Sequence, residues 1–309
     1  MEKFLFTKLH LYLLLITISI KGRNKMKDML PDVKSCLIND SEIRYLHYKG
    51  DGPDLVLLHA TGFNPWLWHP LARELTPYFN IYAPYFCDHR FAEPEEGGLS
   101  WKILAGDLHQ FCCELNLSRP FVAGHSMGAT VITLCAAGHK VTPEKMILIE
   151  PIFLPEGIYS ANLTVEQHPL ASKSIKRKSQ WESQPDAKDY LQSKSLFKNW
   201  DSEMIDLYIK HGMSCADSGG LQLSCSPRRE ASLFMGSVVE NPWPLLSEIS
   251  CPVLIVEGET SDNRSYIDLK KAASSFSSGS YTEVKGAGHL VPMEKPKEVI
   301  EIFKSFFLQ

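Results

Sequence analysis

The chain has no C-x-x-C pair and no Cys/His cluster at zinc-finger spacing among its 309 residues, which excludes the common structural zinc modules. It also lacks a basic tract long enough to follow a phosphate backbone, and its net charge is −4 with an isoelectric point near 6.3. Nucleic acid is therefore not an expected partner. No internal repeat and no low-complexity stretch is present. Long apolar runs are missing as well. The most apolar region, Phe4 to Ile20, is interrupted by Lys8 and His10, leaving an unbroken part of about ten residues where a spanning helix needs about 20.

Lys3 precedes that region and Lys21, Arg23 and Lys25 follow it, the charge pattern of a leader or a short anchor, yet no A-x-A-like cleavage site comes after. Met26 offers a second start, since the folded part begins near Val33. The expectation is a cytoplasmic protein. A membrane-anchored or exported form is the alternative if residues 1–25 are translated, and association through residues 4–20 is not favoured. The eight cysteines (36, 87, 112, 113, 135, 215, 225 and 251) read as mostly unpaired thiols, because Cys135 and Cys251 fall in apolar helix and strand contexts.

With 44% hydrophobic residues the chain can bury one sizeable core. Short β-branched and aromatic runs alternate with helix-like segments, which predicts an α/β fold with a mostly parallel central sheet flanked by helices. The spacing predicts a hairpin over 35–48, strands over 55–58, 80–83, 121–123, 146–149, 252–256 and 281–284, and helices over 68–78, 101–115, 129–137 and 296–307. About a hundred residues separate Phe153 from Cys251, where a crossover between parallel strands needs only about a dozen. An insertion is expected there: core over 33–154 and 248–309, helical lid over 155–247, with Lys173, Lys176, Arg177 and Lys178 on one solvated helix.

Gly124-His125-Ser126-Met127-Gly128 is a G-x-S-x-G pentapeptide between an apolar run and a small, apolar helical stretch. Such a strand-to-helix turn exposes a serine hydroxyl, with a glycine to either side so that strand and helix can approach. Ser126 is the candidate nucleophile. A serine hydroxyl needs a base at neutral pH, and that base needs an orienting acid. His289, in a Gly-Ala-Gly-His turn after the last strand, has the best context of the eleven histidines. His59 and His125 read as buried hydrogen-bonding residues, and His69, His139, His168 and His211 as surface or lid residues. The oxyanion of acyl transfer needs two donors. The Met127 amide follows the nucleophile directly, and Thr61, in the loop after the strand 55–58, supplies the second. Phe63 and Trp66, with Trp68 beyond them, are candidates to line an acyl pocket.

These motifs are similar to those of the α/β-hydrolase superfamily, and the chain resembles a capped member of it. His59-Ala60-Thr61-Gly62, the Ser126 pentapeptide and Gly288-His289-Leu290-Val291-Pro292 correspond to the oxyanion loop, nucleophile turn and histidine loop, in family order across residues 33–309. Two departures stand out. Ala60 replaces the usual glycine, and Ser261 stands where the usual acid follows the strand 252–256, with Asp262 one place late. Some members carry the acid after the preceding strand instead, as Ile149-Glu150-Pro151 resembles. Glu150 and Asp262 both remain candidate acids, Glu150 favoured because a glutamate ending a buried strand must be paired.

The resemblance implies a serine hydrolase cleaving a carboxylic ester, thioester or lactone through an acyl-enzyme. It implies no metal or organic cofactor, and a small-molecule acyl substrate as partner. Carbon-carbon bond hydrolysis with the same triad, or a non-catalytic receptor or scaffold, are the alternatives.

Overall fold

Leu55 to Leu58, Phe121 to Ala123, Met146 to Ile149 and Val253 to Val256 are unbroken apolar runs, the pattern of strands covered on both faces. The computed structural model describes residues 29–139, 142–159 and 161–309, and there each run is a central strand. In chain order the strands are β1 (Asp32–Ile38), β2 (Ser41–Tyr48), β3 (Asp54–Leu58), β4 (Asn80–Pro84), β5 (Phe121–His125), β6 (Met146–Ile149), β7 (Gln180–Trp181), β8 (Met213–Cys215), β9 (Leu221–Leu223), β10 (Val253–Gly258) and β11 (Gly279–Val284). Eight of them form one sheet in the order β1-β2-β4-β3-β5-β6-β10-β11. Every pairing from β4 to β11 is parallel, and β1 and β2 join antiparallel.

Alternate residues of each strand serve opposite faces. Leu55, Leu57, Ala123, Ile147, Ile149 and Val256 pack with the helices His69–Leu75 and Pro296–Phe307. Val56, Leu58, Val122, Leu148 and Ile255 pack with the helices Trp101–Glu114, Met127–Gly138 and Leu269–Ser275. The Trp101–Glu114 helix starts where the Ser100 hydroxyl accepts from the Lys102 amide, and it buries Trp101, Leu104, Ala105, Leu108 and Phe111 at helical spacing. Because the sheet is parallel, the loops after β3, β5, β6 and β10 all open at one edge, where α/β folds place ligands.

Four local expectations are corrected. The helix expected over 68–78 is a 3₁₀ turn, Pro65–Trp68, followed by the helix His69–Leu75. Asn64 caps the turn by accepting from the Trp66 amide, and proline suits a first turn. β10 runs on through Glu257 and Gly258, because β11 offers partners up to Val284. Between β6 and β10 the expected all-helical insertion also carries a three-stranded antiparallel sheet, β7-β9-β8; strands of two or three residues are too short to leave a periodicity. The basic run does not form one solvated helix either. The helix Ala171–Ser174 holds only Lys173 of it, and Arg177 turns inward, its Nη1 donating to both Glu230 carboxylate oxygens at 2.8 Å.

This segment packs onto the site edge of the sheet. Phe63 meets Trp200 and Tyr208 edge-on, and His211 stacks on Trp66 with ring centroids 3.7 Å apart. The Asp201 amide donates to the Met293 carbonyl. The apolar region 4–20 and Met26 lie outside the described residues. Among the described residues no helix is long and apolar enough to cross a membrane.

Candidate active site

The site begins at the end of β5. Ser126 has φ 54° and ψ −116°, a conformation that costs a non-glycine residue about 1–3 kcal/mol. Its surroundings enforce it: the Ser126 amide donates to the Ile149 carbonyl at 2.9 Å, and the helix starts at the next residue. A methyl group on Gly128 would collide with the Leu58 and His59 carbonyls, and one on Gly124 with the Gly128 and Ala129 backbone. The two glycines are what lets strand, turn and helix close on one another.

Glu150 ends the neighbouring strand, also at positive φ, 49°, with its amide donating to the Val256 carbonyl at 2.8 Å. Its side chain is fully buried and its carboxylate accepts three hydrogen bonds. Oε1 takes the Gly258 amide at 2.7 Å, while Oε2 takes the Ser261 hydroxyl at 2.8 Å and faces His289 Nδ1 at 3.0 Å. The other ring nitrogen, Nε2, lies 3.1 Å from Ser126 Oγ. Ser126, His289 and Glu150 thus form a continuous hydrogen-bonded chain from three strand ends. Asp262 is not in it. Its side chain is exposed, it opens the 3₁₀ turn Asp262–Ser265, and it makes no hydrogen bond to His289. The extra residue in the loop after β10 turns the aspartate outward and leaves Ser261 facing Glu150.

The loop after β3 makes a tight turn in which the Phe63 amide donates to the Ala60 carbonyl at 3.2 Å and Gly62 takes φ +74°. Glycine is required there. Among the described residues no acceptor takes the Thr61 or the Met127 amide. Met127 is also the first residue of its helix, where the backbone dipoles favour negative charge. Of the two pocket candidates, Phe63 is half-buried beside the inserted segment. Trp66 is taken up by packing: Nε1 donates to the Tyr85 hydroxyl, one ring face is stacked on His211, and the residue belongs to the core. Trp68 is core as well. Among the described residues no group of three or more His, Cys, Asp or Glu side chains is arranged to hold a metal ion.

A family model described as "Alpha/beta hydrolase family" matches residues 55–302. The chain belongs to this family. Among its curated relatives are 2-(acetamidomethylene)succinate hydrolase of Mesorhizobium japonicum, 24% identical over 260 residues and covering 84% of this chain and 89% of that one. A second is (E)-2-((N-methylformamido)methylene)succinate hydrolase of Acinetobacter baylyi, 20% identical with 86% and 95% covered. The crystal structure of E-2-(acetamidomethylene)succinate hydrolase superposes with a TM-score of 0.76 at 21% identity, over 90% of this chain and 100% of that one.

In this alpha/beta hydrolase two contacts of the relay were not anticipated. Ser261 is conspicuous in sequence only as the residue displacing the usual acid, and that displacement was the available signal for its bond to Glu150. Asn263, whose side-chain amide lies 3.0 Å from His289 Nδ1, leaves no signal. Among the histidines the expectation of a surface position is corrected at His69 and His168, while His59 and His125 are buried and hydrogen-bonded as expected. His69 is buried, sharing a 2.9 Å hydrogen bond with the Tyr48 hydroxyl, and His168 is buried with Nδ1 accepting from the Leu170 and Ala171 amides. His59 Nε2 accepts from the Phe86 amide, and His125 Nε2 donates to the His289 carbonyl at 2.9 Å.

Burial, and then the nearby His289, push the pKa of His125 down from 6.5 to about 3. The unfolded chain therefore binds this proton more readily than the native one. The stability gained by keeping His125 neutral is complete above about pH 6.5 and is lost as pH falls toward about 3. Urea midpoints are expected to fall between about pH 7 and pH 5, and more shallowly in His125→Gln, which keeps an N–H donor but does not titrate. Equal slopes for the two proteins would exclude His125 as a source of the acid sensitivity.

Proposed function

We propose that the chain hydrolyses a carboxylic ester, thioester or lactone through an acyl-enzyme on Ser126. The observation that carries this reading is the relay from Ser126 Oγ through His289, 3.1 Å to one ring nitrogen and 3.0 Å from the other to the buried Glu150. Glu150 holds the Nδ1 proton, so Nε2 presents its lone pair to the serine. Ser126 Oγ attacks the acyl carbon as its proton passes to Nε2. The Met127 and Thr61 amides stabilise the oxyanion. The bond to the leaving group then breaks and that group takes the proton from Nε2. A water deprotonated by Nε2 attacks the acyl-enzyme, the carboxylic acid departs, and Ser126 recovers its proton.

The inserted segment serves as the cap over this edge, with Phe63 beside the acyl group. A second reading, hydrolysis of an enamide-type acyl group, is favoured by the two relatives named as hydrolases of such succinates. It uses the same relay with a nitrogen leaving group.

The test is labelling of the folded protein by a fluorophosphonate, with Ser126→Ala as the control. Absence of labelling in the wild type would remove the hydrolase reading, and a panel of esters, thioesters, lactones and enamide succinates then ranks the acyl classes. The turn of the oxyanion loop gives a further expectation. A Gly62→Ala methyl would strain the positive φ and collide with the Glu230 carboxylate, displacing the Thr61 amide. Turnover is expected to fall about 10²–10³-fold, the loss seen on removing one oxyanion donor. A kcat near that of the wild type would take the Thr61 amide out of the reaction.

A further inference from the structure

The loop after β10 has lost the usual acid but sends two polar side chains into the relay. Ser261 serves Glu150, as above. Asn263 reaches His289: its amide nitrogen Nδ2 is placed 3.0 Å from Nδ1, the nitrogen that also faces Glu150 Oε2 at 3.0 Å. Its oxygen Oδ1 accepts from the Tyr266 hydroxyl, and which end of an amide faces which neighbour is decided by the hydrogen bonds around it. The backbone at this point is fixed, since the Asn263 carbonyl accepts the Tyr266 and Ile267 amides at 3.0 and 2.8 Å.

The proposed base role allows one arrangement of protons. Nε2 must offer its lone pair to Ser126, so Nδ1 carries the hydrogen. A group within 3.0 Å of that N–H can bond to it only as an acceptor. With its nitrogen turned to the ring, the Asn263 amide would place donor against donor. With its oxygen there, every group is satisfied: Nδ1–H is shared between Glu150 Oε2 and the amide oxygen, and the amide nitrogen donates to the Tyr266 hydroxyl, which can accept or donate. We propose that Asn263 is a positioning residue for His289, holding the Nδ1 proton as a second acceptor beside Glu150 and itself held by Tyr266. The inference rests on the serine-hydrolase reading. It gives the loop that lost the acid a retained part in orienting the base.

A substrate-independent test is the second-order rate of fluorophosphonate labelling as a function of pH. The other titratable groups around His289 are unchanged between variants: Glu150 after β6, His125 with its ring centroid 5.2 Å away, Tyr266 on the same loop with Asp262 turned outward beside it, and Glu294, whose carboxylate accepts the Gly288 amide at 2.8 Å. Asn263→Ala is expected to label about tenfold more slowly, the lower range for losing a hydrogen bond to a group that becomes charged. Asn263→Asp keeps an acceptor in place and adds a negative charge near the ring. Its plateau rate should stay near that of the wild type, while the acid limb moves up by about one pH unit, because a raised imidazole pKa removes the neutral base at a higher pH.

Variants that both follow the wild-type profile would overturn the inference. So would an aspartate variant as slow as the alanine one with its acid limb unmoved, the result of a merely structural turn residue. If Asn263→Ala does not fold, Tyr266→Phe, changed at an exposed side chain, carries the test: slower labelling supports the inference and a wild-type rate overturns it. A folded wild type that never labels removes the hydrolase reading itself, whereas a labelled wild type with unaffected variants removes only the role of Asn263.

Discussion

Glu150→Gln is expected to lower kcat about 10⁴-fold, the loss caused by amide replacement of the orienting acid in a serine protease, with the fold intact. The carboxylate is fully buried and takes hydrogen bonds from Gly258 N, Ser261 Oγ and His289 Nδ1. A glutamine of the same shape keeps one oxygen for the Gly258 amide, and the Ser261 hydroxyl can rotate to accept from the new NH₂. What it cannot do is accept at His289. Its NH₂ donates to Nδ1, the ring proton moves to Nε2, and the serine then faces an N–H in place of a lone pair. Asp262→Asn is the matched control. That side chain is exposed and outside the relay, so its kcat should stay within about twofold of wild type, as for surface changes of about 0.5 kcal/mol. Normal turnover in the glutamine variant with a dead Asp262→Asn would reverse the assignment.

The contrast between these two carboxylates shows what was legible in the sequence. Apolar runs such as Met146 to Ile149 and Val253 to Val256 are local features, and a parallel sheet turns them directly into adjacent strands with their loops at one edge. Ser126, Thr61 and Met127 occupy turns whose glycines are visible in the sequence. The choice between Glu150 and Asp262 depends on which side of the loop after β10 faces inward, a matter of one residue of length. Burial favours Glu150 before any distance does, since a glutamate ending a buried strand must be paired. Asn263 and the sheet β7-β9-β8 were not legible, because a single amide and strands of two or three residues leave no period and no motif. Trp66 was misread for a related reason: its partner His211 is distant in sequence and only the folded insertion brings the two rings together.

The strained turn makes Ser126 the position where activity and stability separate. Ser126→Ala is expected to reduce kcat about 10⁶-fold, as removal of the nucleophile does in a comparable triad, with residual rate from the oxyanion amides and binding alone. Its stability should change little, since alanine keeps the Cβ that makes φ 54° unfavourable and loses only one hydrogen bond, to His289 Nε2. Ser126→Gly should be equally inactive but more stable than Ser126→Ala. Glycine removes a conformational penalty of about 1–3 kcal/mol at an entropic cost of about 0.5–1 kcal/mol. The net gain corresponds to a rise in Tm of roughly 2–4 °C per kcal/mol for a chain near this size. Thermal unfolding of the two variants side by side reads the strain directly, because both lack the hydroxyl and differ only by one methyl group. A glycine variant that melts below the alanine one would mean that the turn is held at no conformational cost, and an alanine variant that still turns over would place the nucleophile elsewhere.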